Sequence, residues 1–211
     1  MVGQGMWVAA VVALALTVVG CGGSGQTIPM SVTAAAVPAP EKVRAALRVA
    51  VVSFEDARAD KSSIGRWQHY VEATVDRLVP DKGSAADQVT GFVADYLKLA
   101  GFQVTRVQPG EAVAPGSADV VLTGQIETYW SEARTRFART ELTAKNRLVL
   151  KVSNAADSST VRTTVGGEGA STEVFFDLAD LERLHGEALG QSLARFLGDL
   201  AVVNRSLKPK G

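Results

Sequence analysis

The chain has one cysteine in 211 residues, two histidines and no net charge. A lone cysteine excludes an intramolecular disulfide, so in an oxidising compartment the domain must hold together by its core. With 46% apolar residues such a core is feasible. His69 and His185 have no companion cluster of Cys, Asp or Glu. They fall short of the three or four spaced ligands that a zinc site takes, and no metal or cofactor is expected. Lys and Arg number 22 against 22 Asp and Glu. That balance leaves no broad positive field to gather nucleic acid. No Gly-x-Ser-x-Gly elbow exists. Gly166-Gly167-Glu168-Gly169 follows a strand but opens no helix, so it is not a phosphate cradle; a strand bend or bulge is expected there. These absences leave no recognisable catalytic set, and the chain reads as a non-enzyme.

The apolar stretch Met6 to Val19 is too short for a membrane-spanning helix, which needs about 20 residues. It suits a secretory signal core of about 7–15 residues closed by a small residue. Met1 to Gly5 carries no Lys or Arg, so the α-amino group is the only cation there. Gly22-Gly23-Ser24-Gly25 cannot prolong a helix across a bilayer. Val18-Val19-Gly20-Cys21 resembles the lipobox of bacterial lipoproteins. The resemblance implies cleavage between Gly20 and Cys21 and acylation of the Cys21 thiol, with palmitate-type chains as the anchor. Each buried methylene contributes about 0.8 kcal/mol, and one chain alone holds only marginally; the two or three chains of such lipoproteins hold durably. Gly22, where an Asp would signal inner-membrane retention, implies the periplasmic face of the outer membrane. Residues 1–20 thus read as signal peptide. Residues 21–46, rich in Gly, Ser, Ala, Thr and Pro (Val37-Pro38-Ala39-Pro40), read as lipidated cysteine and flexible tether.

A single domain is expected over 47–203. Leu47 to Phe54 reads as a buried strand, and Glu55 to Asp60 turns the chain. Tyr70 to Val79 alternates as a strand with Val71, Ala73 and Val75 on one face, a helix being the other option. Ser84-Ala85-Ala86-Asp87 has the form of a capping box. It opens a helix with Val89, Phe92, Val93, Tyr96, Leu97 and Ala100 at helical spacing, closed by Gly101. Phe102 to Val107 is a short strand and Pro109 to Ser117 a loop. Val120, Leu122, Gly124, Ile126, Thr128 and Trp130 share one face of the next strand. Two more alternating segments follow, Glu141 to Val152 and Val161 to Val165, joined by turn residues Asn154 to Ser159. Three such strands predict an antiparallel meander with one buried and one wet face. The last helix starts near Asp177 or Asp180 and carries the stripe Leu181, Leu184, Ala188, Leu189, Leu193, Phe196, Leu197 and Leu200. The basic tail 204–211 is expected to fray. The fold class is α+β: a two-layer domain with a mostly antiparallel sheet and two amphipathic helices on one face.

Two polar groupings are candidate sites. Asp56-x-Arg58-x-Asp60 follows the first strand, and two carboxylates beside an arginine could serve acid/base chemistry. The simpler reading, favoured because no nucleophile or metal ligand accompanies them, is that Asp56 caps backbone amides and pairs with Arg58. Arg134, Arg136 and Arg139 gather with Phe137 and Trp130 near a hairpin end. Clustered arginines and aromatics anchor partners or touch anionic headgroups; a plain solvated surface is the alternative. His185 is expected at the surface or an interface, and His69 in a polar-aromatic loop.

The lipobox, the Pro/Ala tether, Asp56-Ala57-Arg58, the helix end Leu97-Lys98-Leu99-Ala100-Gly101-Phe102 and the strand Ala118-Asp119-Val120-Val121-Leu122-Thr123-Gly124 together resemble the YajG-type bacterial lipoproteins. That resemblance covers about residues 47–200 and implies an envelope-associated binding or accessory role with no known reaction. The expected function is a lipid-anchored, non-enzymatic module. Its partners are the membrane, through the N-terminal lipid, and an envelope protein of an assembly or transport system, with no nucleic acid. The rivals are an envelope-polymer hydrolase using Asp56 and Asp60, and a lipid-carrying domain.

Overall fold

The computed structural model describes residues 25–43, 47–71 and 74–210; the signal segment with Gly20 and Cys21 lies outside them. Its central element is strand β7 (Val120–Arg136). Alternation buries Val120, Leu122 and Ile126, and then a bulge between Ile126 and Thr128 changes the phase. Beyond it Tyr129, Ser131 and Ala133 are the buried residues. A bulge inserts one residue and so exchanges the two faces of everything that follows. Thr128 and Trp130, which unbroken alternation puts on the buried face, therefore turn outward. The strand also runs on to Arg136, where a two-residue turn, Phe137-Ala138, leads into β8 (Arg139–Asn154). β8 pairs antiparallel with β7 and with β9 (Thr160–Glu173).

The other edge of β7 is covered in relay by three short strands running in its own direction: β2 (Arg48–Val52), β3 (Glu55–Asp56) and β4 (Gly65–Gln68). Outside β2 lies β6 (Gln103–Val107), parallel to it, reached through helix α1 (Ala85–Leu99). Outside β4 lies β5 (Val75–Pro80), antiparallel to it, and then β1 (Thr27–Met30), parallel to β5. The nine-stranded sheet is thus mixed. The meander is antiparallel as expected, but the β2, β3 and β4 pairings with β7 and the β2–β6 and β1–β5 pairings are parallel. Parallel neighbours need long crossover connections, which alternation within one segment does not reveal.

α1 starts with the expected capping box. The Ser84 amide donates to Asp87 Oδ2 at 2.9 Å and the Asp87 amide to Ser84 Oγ at 3.1 Å. It ends with Gly101 at φ +97°. The amides of Gly101 and Phe102 donate to the carbonyls of Lys98 and Leu97, the paired bonds of a Schellman close. Helix α2 (Leu178–Gly198) is capped by Asp177, whose side chain accepts from the Ala179 amide at 2.9 Å. It buries Leu181, Leu184, Ala188, Leu189, Leu193 and Phe196.

Four expectations give way. Residues 25–43 are not tether: β1 joins the sheet, a 3-10 turn follows at Ala34–Ala36, and Met30, Val32, Ala34 and Val37 are buried. The Ser31 amide donates to Glu182 Oε1 at 2.6 Å and the Gln88 side chain to the Met30 carbonyl at 2.8 Å. Second, the tail does not fray. β10 (Leu200–Val203) and β11 (Ser206–Pro209) form a hairpin whose turn residues Asn204 and Arg205 take positive φ, as such tight turns require. Asn154 then bonds both backbone groups of the buried Leu207. Third, in the 70–79 segment β5 begins only at Val75, Tyr70 and Val71 are not strand, and Ala73 lies outside the described residues; β5 buries Asp76 and Leu78 while Val75 faces out.

Fourth, the glycine run is neither bend nor bulge: β8–β9 register passes through 166–169 unbroken. A Cβ on Gly167 would lie 1.9 Å from the Ala188 carbonyl oxygen of α2, and one on Gly169 2.8 Å from Leu184 Cδ1. These glycines let helix and strand touch. Replacing Gly167 with Ala should therefore destabilise the domain by about 1–3 kcal/mol, the usual penalty of overpacking. Gly198→Ala, where nothing lies within 4 Å of the new methyl, should be neutral or stabilising. Urea unfolding of the two variants checks the contrast.

Candidate functional site

The pairing read from the sequence at Asp56 and Arg58 is present. Arg58 Nε donates to Asp56 Oδ1 at 2.9 Å and Nη2 to Oδ2 at 2.8 Å, the two-pronged geometry that suits a guanidinium. Nη1 donates to the Ser63 carbonyl at 2.7 Å and to that of Tyr129 at 3.3 Å. The buried guanidinium thus ties the loop between β3 and β4 to the middle of β7. The Arg58 hydrogen bond holds the Asp56 carboxyl below its usual range. Asp60 stays exposed and accepts from the Ser62 amide and hydroxyl at 2.8 and 2.7 Å, which lower its pKa as well. Both carboxylates are kept ionised, whereas a general acid takes a raised pKa.

A second ion cluster has no signal in the sequence beyond an Asp at a strand start. Asp119 is buried at the opening of β7. It accepts from Arg48 Nη2 at 2.9 Å, from the Arg48 amide at 3.0 Å and from Arg205 Nη2 at 2.6 Å. Arg48 is the main cause of its pKa falling to about 2. The cluster joins β2, β7 and the C-terminal hairpin. Among the described residues no group of three His, Cys, Asp or Glu side chains is placed to hold a metal ion.

His185 is fully buried, not at the surface. Its Nδ1 lies 2.5 Å from Ser131 Oγ, and its ring packs on Tyr129 with centroids 4.2 Å apart. The Tyr129 hydroxyl donates to Gln88 Oε1 at 2.6 Å, and Ser192 Oγ donates to Asn146 Oδ1 at 2.6 Å. Hydrogen bonds thus link the meander to α1 through Gln88 and to α2 through His185 and Ser192. His69, by contrast, is partly exposed, with Nε2 2.8 Å from Asp76 Oδ2 and its ring on Trp67.

Arg134, Arg136 and Arg139 stand at the end of the β7–β8 hairpin, within the strands. Arg134 and Arg66 both contact Glu132 Oε1, at 3.1 and 3.0 Å, and Arg139 contacts Glu141 at 2.9 Å. Arg136 has no ion-pair partner among the described residues. Trp130 lies on the outer face, where with Glu132, Thr143, Lys145 and Glu168 it lines a shallow groove. Strand directions bring further residues to the end where the arginines stand. β4 ends beside Arg134, so the turn with Tyr70 and Val71 lies there. β9 ends opposite Thr140, which places Val174 and Phe175 there too. The alternating pattern puts Val71 in a strand, and it does not single out Tyr70, Val174 and Phe175 as surface residues; the available signal is two apolar groups, Tyr70-Val71 and Val174-Phe175-Phe176, in otherwise polar connections.

No protein-family model matches the chain, and no curated protein matches it. Among solved structures the chain is similar to a Xanthomonas campestris protein of the DUF330 family. Identity is 16%, coverage 83% of this chain and 93% of that one, and the TM-score 0.46. It is similar to the PelC dodecamer from Paraburkholderia phytofirmans at 15% identity, covering 75% and 92%, with TM-score 0.42. Lipoprotein GNA1162 from Neisseria meningitidis follows at 10% identity, covering 72% and 96%, with TM-score 0.27. Likenesses of this size set neither a family nor an activity. Among the described residues no helix is long and apolar enough to cross a membrane.

The buried imidazole gives a pH signature. Burial pushes the His185 pKa down to about 3, while in the unfolded chain it sits near 6.5. Between those values the unfolded chain binds the extra proton, so stability falls as pH is lowered through 6.5 toward 3. From pH 7.5 to 5.5 the protein should lose stability by roughly one kcal/mol more than a His185→Gln variant, by the same linkage. Urea midpoints at the two pH values measure the difference.

Proposed function

We propose that the protein is a lipid-anchored lipoprotein of the bacterial cell envelope, of the YajG type, serving as a non-enzymatic binding or accessory module for an envelope assembly or transport system. The observation that carries this reading is the sequence Val18-Val19-Gly20-Cys21 closing a 14-residue apolar stretch. The acylated Cys21 holds the domain at the periplasmic face of the outer membrane, with Gly22 permitting that destination. The domain is a two-layer α+β module in which both helices cover one face of the sheet and leave the other open.

Protein partners meet the open face and the outer edge of β9. That face carries a polar groove lined by Trp130, Glu132, Thr143, Lys145 and Glu168, and at the β9 edge a groove of about 590 Å³ runs from Lys145, Arg147 and Glu168 to Gln191 and Arg195 of α2. β9 pairs only with β8 among the described strands, and a free strand edge is a template for an added strand. The hydrolase reading draws no support from Asp56, which is committed to Arg58, or from Asp60, which closes its own turn. The contact between Gly167 and α2 speaks against a lipid-sized gap between helix and sheet.

Mass spectrometry of the membrane-extracted protein tests the anchor. The mature chain should begin at an acylated Cys21, and Cys21→Ala should leave an unprocessed chain without the lipid. An intact residue 1–20 segment joined to a free thiol in the native protein would overturn it. In-cell crosslinking from Thr164→Cys or Glu168→Cys on the open face should capture a discrete envelope protein.

A further inference from the structure

We propose that the end of the sheet bearing Phe137 and Phe175 is a membrane-docking surface that rests on the bilayer holding Cys21; this builds on the lipid-anchor reading above. The strand directions carry the first part. β4, β7 and β9 all finish at one end of the sheet, and β5 and β1 both start there. The most exposed large apolar residues stand at that end: Phe137 is 81% exposed, Phe175 82%, Val71 85%, Val174 66% and Tyr70 56%, while the less exposed Leu99 and Val203 lie elsewhere. They sit in the β7–β8 turn, just past β9 and in the β4–β5 turn. The row therefore crosses five strands, β5, β4, β7, β8 and β9, roughly 19 Å at the usual interstrand spacing. Phe175 points out although its neighbour Phe176 stacks on Trp67 at 4.0 Å, so one ring of the pair already serves the fold and the other is left over.

The chain path carries the second part. The described chain enters the fold at this same end. Gly25 presses on the first residue of β5, close enough that a Cβ would fall 1.7 Å from the Val75 carbonyl oxygen. The Gln26 amide donates to Asp76 Oδ1 at 2.6 Å, and its carbonyl accepts from the Arg77 amide at 2.8 Å. Cys21 is four residues before Gly25, and four residues reach at most roughly 14 Å. An acylated Cys21 therefore keeps this end beside the lipid headgroups. The far end, at the β8–β9 turn, is removed by the 16 residues of β8, roughly 50 Å of strand.

Charge fits the same surface. Arg66 and Arg134 pair with Glu132 and Arg139 with Glu141, and Arg136 beside them makes no ion pair among the described residues. Apolar rings flanked by arginine are the side chains that settle at a bilayer interface, the rings at the acyl boundary and the guanidinium groups among phosphates. The apolar groups stand separately on turns across the width of the sheet, a spread that suits an extended planar surface.

The test uses the full-length chain, processed in bacteria and reconstituted in vesicles of phosphatidylethanolamine and phosphatidylglycerol at a molar ratio of about 3:1, an excess of anionic charge sufficient to engage basic side chains. Because lipid occupies Cys21, Phe137→Cys, Phe175→Cys and Ala156→Cys each add one free thiol for a nitroxide label; Ala156 is the control in the far turn. Labels at 137 and 175 should meet dissolved oxygen readily and collide with a water-soluble nickel chelate severalfold less than the label at 156. If all three meet nickel equally while the chain stays on the vesicles, docking is wrong and the anchor stands. If 137 and 175 are shielded from oxygen and nickel alike, a protein contact covers this end and docking is again wrong. If the chain washes off with a free thiol at Cys21, the anchor falls and docking with it.

Discussion

β7 is hydrogen-bonded along both edges, and the other parts of the domain take their places from it. One edge carries β8 over its whole length, and the other carries β2, β3 and β4 in relay. Neither pairing is sufficient without the bulge after Ile126. That one extra residue turns Tyr129, Ser131 and Ala133 toward the helices in the second half of the strand. In unbroken register the same positions would face water and Thr128 and Trp130 would be buried. The hydrogen bonds from Tyr129 to Gln88 and between Ser131 and His185 exist because of that shift.

The helix α2 approaches the sheet at Gly167 and Gly169 with no room for a side chain, and Ser192 and Asn146 bond across the contact. Close approach of this kind admits little play, since packed interiors tolerate few voids. The buried ionic groups work the same way. Asp56 with Arg58 joins a loop to β7, and Asp119 with Arg48 and Arg205 joins three separate segments. Removing one member of such a pair leaves a desolvated charge behind. Asp56 and Arg58, eligible for chemistry on sequence grounds, are thereby committed to holding the fold.

The surface is organised along the strand axis. One end carries the exposed rings, the arginines and the entry of the described chain; the far end carries the polar turn from Ala155 to Ser159, the Asp119 cluster at the opening of β7 and the C-terminal hairpin. Between them the outer sheet face is polar, with charged side chains such as Lys145, Arg147 and Glu168 along it. A domain held by its N-terminus would present these regions at different heights above the point of attachment.

Local chemistry determined what the sequence showed unaided. The Ser84–Asp87 cap, the glycine close at 101, the Asp177 cap and the meander all rest on residues a few positions apart. The Asp56–Arg58 pair, two residues apart, was legible for the same reason. Tertiary structure alone decided the rest. The bulge at Ile126 leaves no mark on the alternation before it. The glycine run reads as a bend until the helix it admits is in place, and His185 reads as a surface residue on a helix whose neighbours are unknown. Residues 25–43 and 204–210 look like tether and tail because Pro, Ala and small polar residues mark the first and basic residues the second, and their partners, β5 and Asn154, are remote in sequence. Likewise Tyr70, Phe137 and Phe175 stand some 40 to 70 positions apart along the chain, and only the strand directions of a mixed sheet, fixed by long-range hydrogen bonding, bring them to one end.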